Sequence, residues 1–154
     1  MNAAVARSPL SLARNPEAMG PSSTRVTRSY AASPDKVFRA WTDPASIKAW
    51  FAKGEDCSAD VREGGLFYIA MRGMNKVNHH YGRYLRIEKP RTLEFTWVSE
   101  WTLGKESVVT IEIAAHGTQT ELTLTHDGLP TEEHAAMHNK GWSGFLDELS
   151  ERLH

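Results

Sequence analysis

The stretch TEEHAAMHNKGWSGFLDELSERLH, residues 131–154, decides the fold. Pro130 precedes Thr131, whose hydroxyl suits a helix N-cap, and Glu132 and Glu133 fall in the first turn, where the helix dipole favours acids. With His138 set at zero and about 100° per residue, Leu149 comes to about 20°, Trp142 to about 40°, Leu153 to about 60°, Leu146 to about 80° and Phe145 to about 340°. Lys140, Ser143, Asp147, Ser150 and Glu151 fall on the other side. The pattern predicts one amphipathic helix of about 22 residues, which has to lie across an apolar surface.

The middle of the chain supplies that surface, because its apolar period changes to two. Phe67, Ile69 and Met71 alternate after Gly64-Gly65, and Leu93, Phe95 and Trp97 do so after the turn at Lys89-Pro90-Arg91. Val109, Ile111 and Ile113 form another run, Gly117 marks a hairpin, and Leu122, Leu124 and His126 continue beyond it. Tyr81 to Ile87 and Glu55 to Val61 complete a count of about seven strands with the first one near Thr24. Short connections favour an antiparallel meander, and a sheet wrapped around one long helix buries both apolar faces.

Between the first strand and the rest, Ser33-Pro34-Asp35 sets an N-cap, a proline in the first turn and an acid, and a helix with Val37, Phe38 and Trp41 on one side follows. The same grammar recurs at Asp43-Pro44, which opens a second short helix through Ile47 to Trp50 and Phe51. Residues 1–23 are rich in Ala, Ser, Pro and Arg and have no apolar period, so a disordered leader is expected there, with an ordered domain over 24–154. The leader is also Arg-containing and acid-poor in the manner of a transit peptide, and Met19 is an alternative start.

Composition narrows the function. The chain of 154 residues is 40% hydrophobic and 24% charged, which suits one domain with a real core. No run approaches the roughly 20 apolar residues of a membrane helix. Lys plus Arg number 18 against 19 Asp plus Glu, a balance that argues against a grip on nucleic acid. One cysteine, Cys57, makes neither a disulfide nor a thiol metal site, and a cytoplasmic location is expected.

No phosphate loop, dinucleotide fingerprint, HExxH helix or GxSxG elbow occurs. His126 and His138 instead sit on apolar faces, where each is either a hydrogen-bonded core residue or a group that binds a ligand or moves a proton. His134 lies one turn before His138, but no third ligand accompanies the pair, so no metal is expected. His79 and His80 are adjacent, would point to opposite faces of a strand, and are not read as a site. Aromatic residues gather where the elements meet, and Met71, Met74 and Met137 add adaptable surface. Gly141, inside the long helix, either lets the backbone approach the sheet or leaves room for a ligand.

Five ordered blocks, SPDKVFRAWTDPASIKAWF, REGGLFYIAMRG, YGRYLRIEKPRTLEFTW, TELTLTHDGLP and HNKGWSGFLDEL, resemble the SRPBCC (START-like) superfamily. In particular they resemble its domains similar to the homologue of the activator of the heat-shock protein 90 ATPase, from about Thr24 to Leu153. The resemblance implies the α+β helix-grip fold: a curved, antiparallel seven-stranded sheet around the long C-terminal helix, two short helices after strand 1, and a cavity between. Such folds host lipid carriers, hormone-binding proteins, aromatic polyketide cyclases and chaperone regulators. The expected cavity residues on the helices and first strands are Trp41, Trp50, Phe67, Ile69, Met71, Tyr81 and Tyr84. From the later strands and the long helix come Phe95, Trp97, His126, His138, Trp142 and Phe145. The first expectation is a binding protein for a small hydrophobic or aromatic, lipid- or polyketide-like ligand, without a cofactor. The alternatives are a cyclase-like enzyme with His126 or His138 as acid or base, and a chaperone regulator or protein-interaction module. The leader is too short for the separate chaperone-binding domain of the activators, so a chaperone partner is doubtful, while a homodimer through a free sheet edge is compatible with the open grip.

Overall fold

The computed structural model describes residues 13–153, so the part of the expected leader over residues 1–12 lies outside the described residues. Strand β1 (Ser22–Tyr30) is followed by helix α1 (Pro34–Thr42), helix α2 (Pro44–Ser46) and a π-helical turn over Ile47–Phe51. Strands β2 (Cys57–Ala59), β3 (Leu66–Gly73), β4 (Lys76–Glu88), β5 (Thr92–Trp97), β6 (Ser107–His116) and β7 (Gln119–Leu129) come next, and α3 (Glu132–Arg152) closes the chain. The strands form one antiparallel sheet in the order β1-β7-β6-β5-β4-β3-β2, the seven-stranded helix-grip arrangement.

The capping residues act as the sequence implies. The Ser33 hydroxyl accepts from the Lys36 amide, Asp43 accepts from the Ala45 amide and Thr131 accepts from the His134 amide, satisfying donors that each helix start leaves unpaired. Alternation then sorts the strands: Leu93, Phe95, Val109, Ile111, Ile113, Leu122 and Leu124 are all buried on the face that receives α3. On α3, Ala135, Trp142, Leu146 and Leu149 are buried, the stripe that the 100° rotation marks. Four residues of α3 are tied by side-chain bonds to the edge strand β1: the Tyr30 hydroxyl donates to the Leu146 carbonyl (2.8 Å), Asn139 donates to Thr24 (2.8 Å), Arg28 pairs with Asp147 (2.7 Å), and the Ser22 hydroxyl donates to Glu132 (2.9 Å).

Two boundaries differ from the sequence expectation. β1 starts at Ser22 rather than near Thr24, and residues 13–21, expected in a disordered leader, run along the sheet. Arg14 reaches Glu94 (2.7 Å) and Asp127 (3.1 Å) on the outer face, and Met19 packs over Gly128. The composition of the segment carries no trace of these contacts, because their partners lie far along the chain. β4 begins at Lys76, five residues before the expected start at Tyr81, because Met74 and Asn75 turn the chain with φ of 54° and 63°. Neither residue is a glycine, the usual occupant of a left-handed turn.

Gly82 is one of the glycines that the packing demands. A Cβ there would come 2.2 Å from both the Phe67 ring and the Thr96 carbonyl oxygen. Gly82→Ala is therefore expected to cost on the order of 2 kcal/mol by overpacking, read as a lower urea midpoint with an unchanged slope. An unchanged midpoint would mean that β4 relaxes there freely.

Candidate functional site

Aromatic rings fill most of the space between α3 and the sheet. Trp41, Trp50 and Phe51 come down from the short helices, with Trp41–Trp50 centroids 5.0 Å apart and Trp50–Phe51 5.0 Å apart. They meet Trp97 and Trp142, whose centroids are 5.2 Å from each other, and Phe145, 5.1 Å from Phe51. Around Trp41, Phe67, Ile69, Tyr84, Phe95 and Trp97 a void of only about 10 Å³ is left, room for roughly one water. The Trp41 indole N–H is buried there without a partner among the described residues. Trp50 donates its own N–H to the Ala40 carbonyl at 2.7 Å.

A larger pocket of about 170 Å³ opens where the N-terminal half of α3, the tip of the β3–β4 hairpin and the turn Glu100–Thr102 meet. Of the residues expected at a cavity, Met71, Trp97, His138, Trp142 and Phe145 line it. Met74, His80, Trp101, Met137 and Gly141 line it too. A Cβ on Gly141 would meet nothing within 4 Å, so this glycine leaves space rather than drawing the helix onto the sheet. Tyr81 lies apart: it is 52% exposed, on the outer face, with its ring 5.3 Å from Tyr68.

His126 is fully buried behind the pocket wall, and its contacts fix its tautomer. The Trp142 indole, a donor only, gives its N–H to His126 Nδ1 (3.0 Å). His126 Nε2 must then carry the proton and donates to the Ser107 hydroxyl (2.7 Å), which donates to the Trp97 carbonyl (2.6 Å). Both nitrogens are occupied, and burial with the nearby His138 holds the ring neutral, its pKa well below the ordinary value. His126 therefore joins α3 to β5, β6 and β7 and has no nitrogen left for proton transfer.

His80 is the residue that the sequence reading passed over. The two-residue alternation holds: His79 is exposed and touches the Tyr68 hydroxyl, whereas His80 is buried with its ring stacked 4.7 Å from Trp97. The inward parity of His80 with Tyr84 is readable, but Lys76, Asn78 and His79, with Val77 the one apolar residue among them, conceal the strand. His80 Nδ1 donates to the Ile69 carbonyl (3.3 Å) and His138 Nδ1 to the His134 carbonyl (2.7 Å). No hydrogen bond to Nε2 of either ring is found among the described residues, and the Asn78 backbone carbonyl acts on the His80 ring beside that of Ile69. Burial lowers both pKa values, with the neighbouring histidines adding to it and the accepting carbonyls opposing it; for His80 the result is about 4.

Residues 31–154 match the family described as Activator of Hsp90 ATPase homolog 1-like protein. CalU16 from Micromonospora echinospora is 34% identical over 84% of this chain and 74% of that one, with a TM-score of 0.68. The Hsp90 activator PFC0360w from Plasmodium falciparum is 25% identical over 85% of this chain and 95% of that one, with a TM-score of 0.71. DynU16, a putative protein in the dynemicin biosynthetic locus, is 26% identical over 85% of this chain and 46% of that one, with a TM-score of 0.71. No curated protein matches the chain. Among the described residues no helix is long and apolar enough to cross a membrane.

The neutral His80 has a stability consequence. Its folded pKa of about 4 lies below an unfolded value near 6.5, so the unfolded chain binds the proton first as pH falls. Stability is complete above about pH 6.5 and declines toward pH 4, by on the order of 3 kcal/mol from this group, with His126 acting in the same direction. Urea unfolding at pH 7.5 and 4.5 measures it, and His80→Gln is expected to flatten the slope.

Proposed function

The chain belongs to the Activator of Hsp90 ATPase homolog 1-like family, within the SRPBCC fold, and from that premise we propose that it binds a small apolar or aromatic molecule in the pocket beside His80 and His138. The observation that carries the reading is the combination at Gly141: a helix interior that tolerates the least helix-forming residue apart from proline, placed where a side chain would fill the pocket. A glycine exposed in a helix costs about 1 kcal/mol relative to alanine, and here it leaves open space against Trp97 and Trp142. Rings and methionines make the walls, so binding would draw on apolar burial at roughly 25 cal/mol per Å² while the imidazoles orient the ligand.

The pocket suits a ligand of one or two rings in the structure as it stands. Met71, Met74 and Met137 border it, and their unbranched side chains can move to admit a longer molecule. Likeness to DynU16, a putative protein in the dynemicin biosynthetic locus, supports a ligand of biosynthetic origin, and the aromatic walls favour one that carries a ring. His126 is saturated, and among the described residues no carboxylate is hydrogen-bonded to His80 or His138.

Native mass spectrometry of gently purified protein from its own host, with tryptophan emission compared before and after organic extraction, tests the reading. The expected result is a small adduct that extraction removes with a shift in emission. Gly141→Leu should raise helix stability by up to about 1 kcal/mol and abolish the adduct by filling the pocket. An adduct retained unchanged in Gly141→Leu would overturn the assignment to this pocket.

A further inference from the structure

We propose that the pocket selects neutral aromatic molecules carrying a hydroxyl, with the hydroxyl hydrogen donated to Nε2 of His80 or His138. This rests on the proposed ligand-binding role and names the chemistry of the ligand. A backbone carbonyl only accepts, so the bonds from His80 to the Ile69 carbonyl and from His138 to the His134 carbonyl place the proton of each neutral ring on Nδ1. Each Nε2 is then a lone pair on a ring that lines the pocket, and His80 is 93% buried, its relative exposure being 7%.

The other polar groups near the pocket are already committed. The Trp142 N–H is spent on His126, and the Trp101 N–H on Asn78 at 3.3 Å. Among the described residues no Lys or Arg lines the pocket. Two lysines approach its aromatic wall from outside, Lys53 at 5.4 Å from the Phe145 ring centre and Lys76 at 5.6 Å from that of Trp101. Each is paired with a carboxylate, Lys53 with Glu148 at 2.9 Å and Lys76 with Glu100 at 2.7 Å.

A ligand that brings a donor therefore meets a complementary acceptor, and one that brings a carboxylate meets two lone pairs and no unpaired cation. Burying an anion against acceptors leaves its charge uncompensated, which strongly disfavours a free fatty acid or aryl carboxylate. A phenol or enol hydroxyl satisfies an imidazole nitrogen, and its ring lies against Trp97 and Trp142. His80 itself is held by its stacking on Trp97, so the acceptor is in place before the ligand arrives.

The test compares 2-naphthol, 2-methoxynaphthalene and 2-naphthoate by tryptophan quenching at pH 7.5, on the full chain. These probes share a ring system and differ at one substituent: a donor, a masked donor and an anion. 2-Naphthol is expected to bind about 10-fold more tightly than the methyl ether, and the carboxylate more weakly than either. His138→Phe, at the half-buried site, should reduce that preference, with thermal unfolding checked alongside. His80→Gln is the second variant, should His138→Phe fail to fold. Equal affinity for naphthol and its ether overturns the hydroxyl assignment and leaves the pocket a site read by shape alone. Tight binding of the naphthoate overturns it as well. Failure of all three probes while the host-derived adduct persists also overturns it; failure of the probes together with absence of the adduct overturns the ligand-binding reading itself.

Discussion

The chain of hydrogen bonds from Trp142 through His126 and Ser107 to the Trp97 carbonyl fixes the rest of the interior. It links α3 to three neighbouring strands at a point where no water reaches, and every donor in it has one acceptor. A half-satisfied buried network is costly, whereas a complete one specifies a single arrangement. The consequence is rotational: α3 can present Trp142 to His126 in one orientation only, and that orientation turns His138 and Gly141 toward the open end of the sheet. The ties from β1 through Tyr30, Asn139 and Arg28 hold the other flank of the helix.

With the helix set, side-chain volume decides where space remains. Trp41, Trp50 and Phe51 descend from the short helices and consume the interior at one end, and a water-sized void survives there between Trp41, Phe51, Phe67, Tyr84 and Phe95. At the other end the facing residues are Met71, Gly141 and the two imidazoles, and a pocket persists. Ring packing at native density explains both outcomes, since a ring that finds partners at about 5 Å leaves no gap beside it. The fold common to the family thus provides a helix and a sheet in apposition, and the distribution of aromatics along this chain determines how much of that apposition is hollow.

The histidines divide by hydrogen bonding rather than by burial alone. His126 and His80 are both buried, and burial holds both neutral. His126 uses both nitrogens within the protein, and His80 uses one. That single difference separates a cross-link from a group with capacity to spare, and it depends on Ser107 and Trp142 lying on elements 19 and 16 residues from His126 in sequence. His138 stands between them, half-buried, its ring 4.9 Å from His126 in an edge-to-face contact.

Much of this was legible in the chain before any coordinates. The caps at Ser33, Asp43 and Thr131, the two-residue period from Phe67 to His126 and the 100° stripe of α3 are local signals, because backbone geometry repeats over a few residues and apolar faces must be covered. They determined the order of elements, the antiparallel sheet and the helix that crosses it. Tertiary structure alone decided the pocket. Whether Tyr81 faces out, whether Trp41 fills a space or borders one, and which imidazole nitrogen is left over depend on atoms brought together from positions far apart in sequence. His80 shows the limit: its parity was readable, but the left-handed turn at Met74 and Asn75 that extends β4, and the Ile69 carbonyl that claims Nδ1, come from pairing with β3. Periodicity is a property of one segment, whereas a cavity and the proton positions around it are set by how several segments share one space.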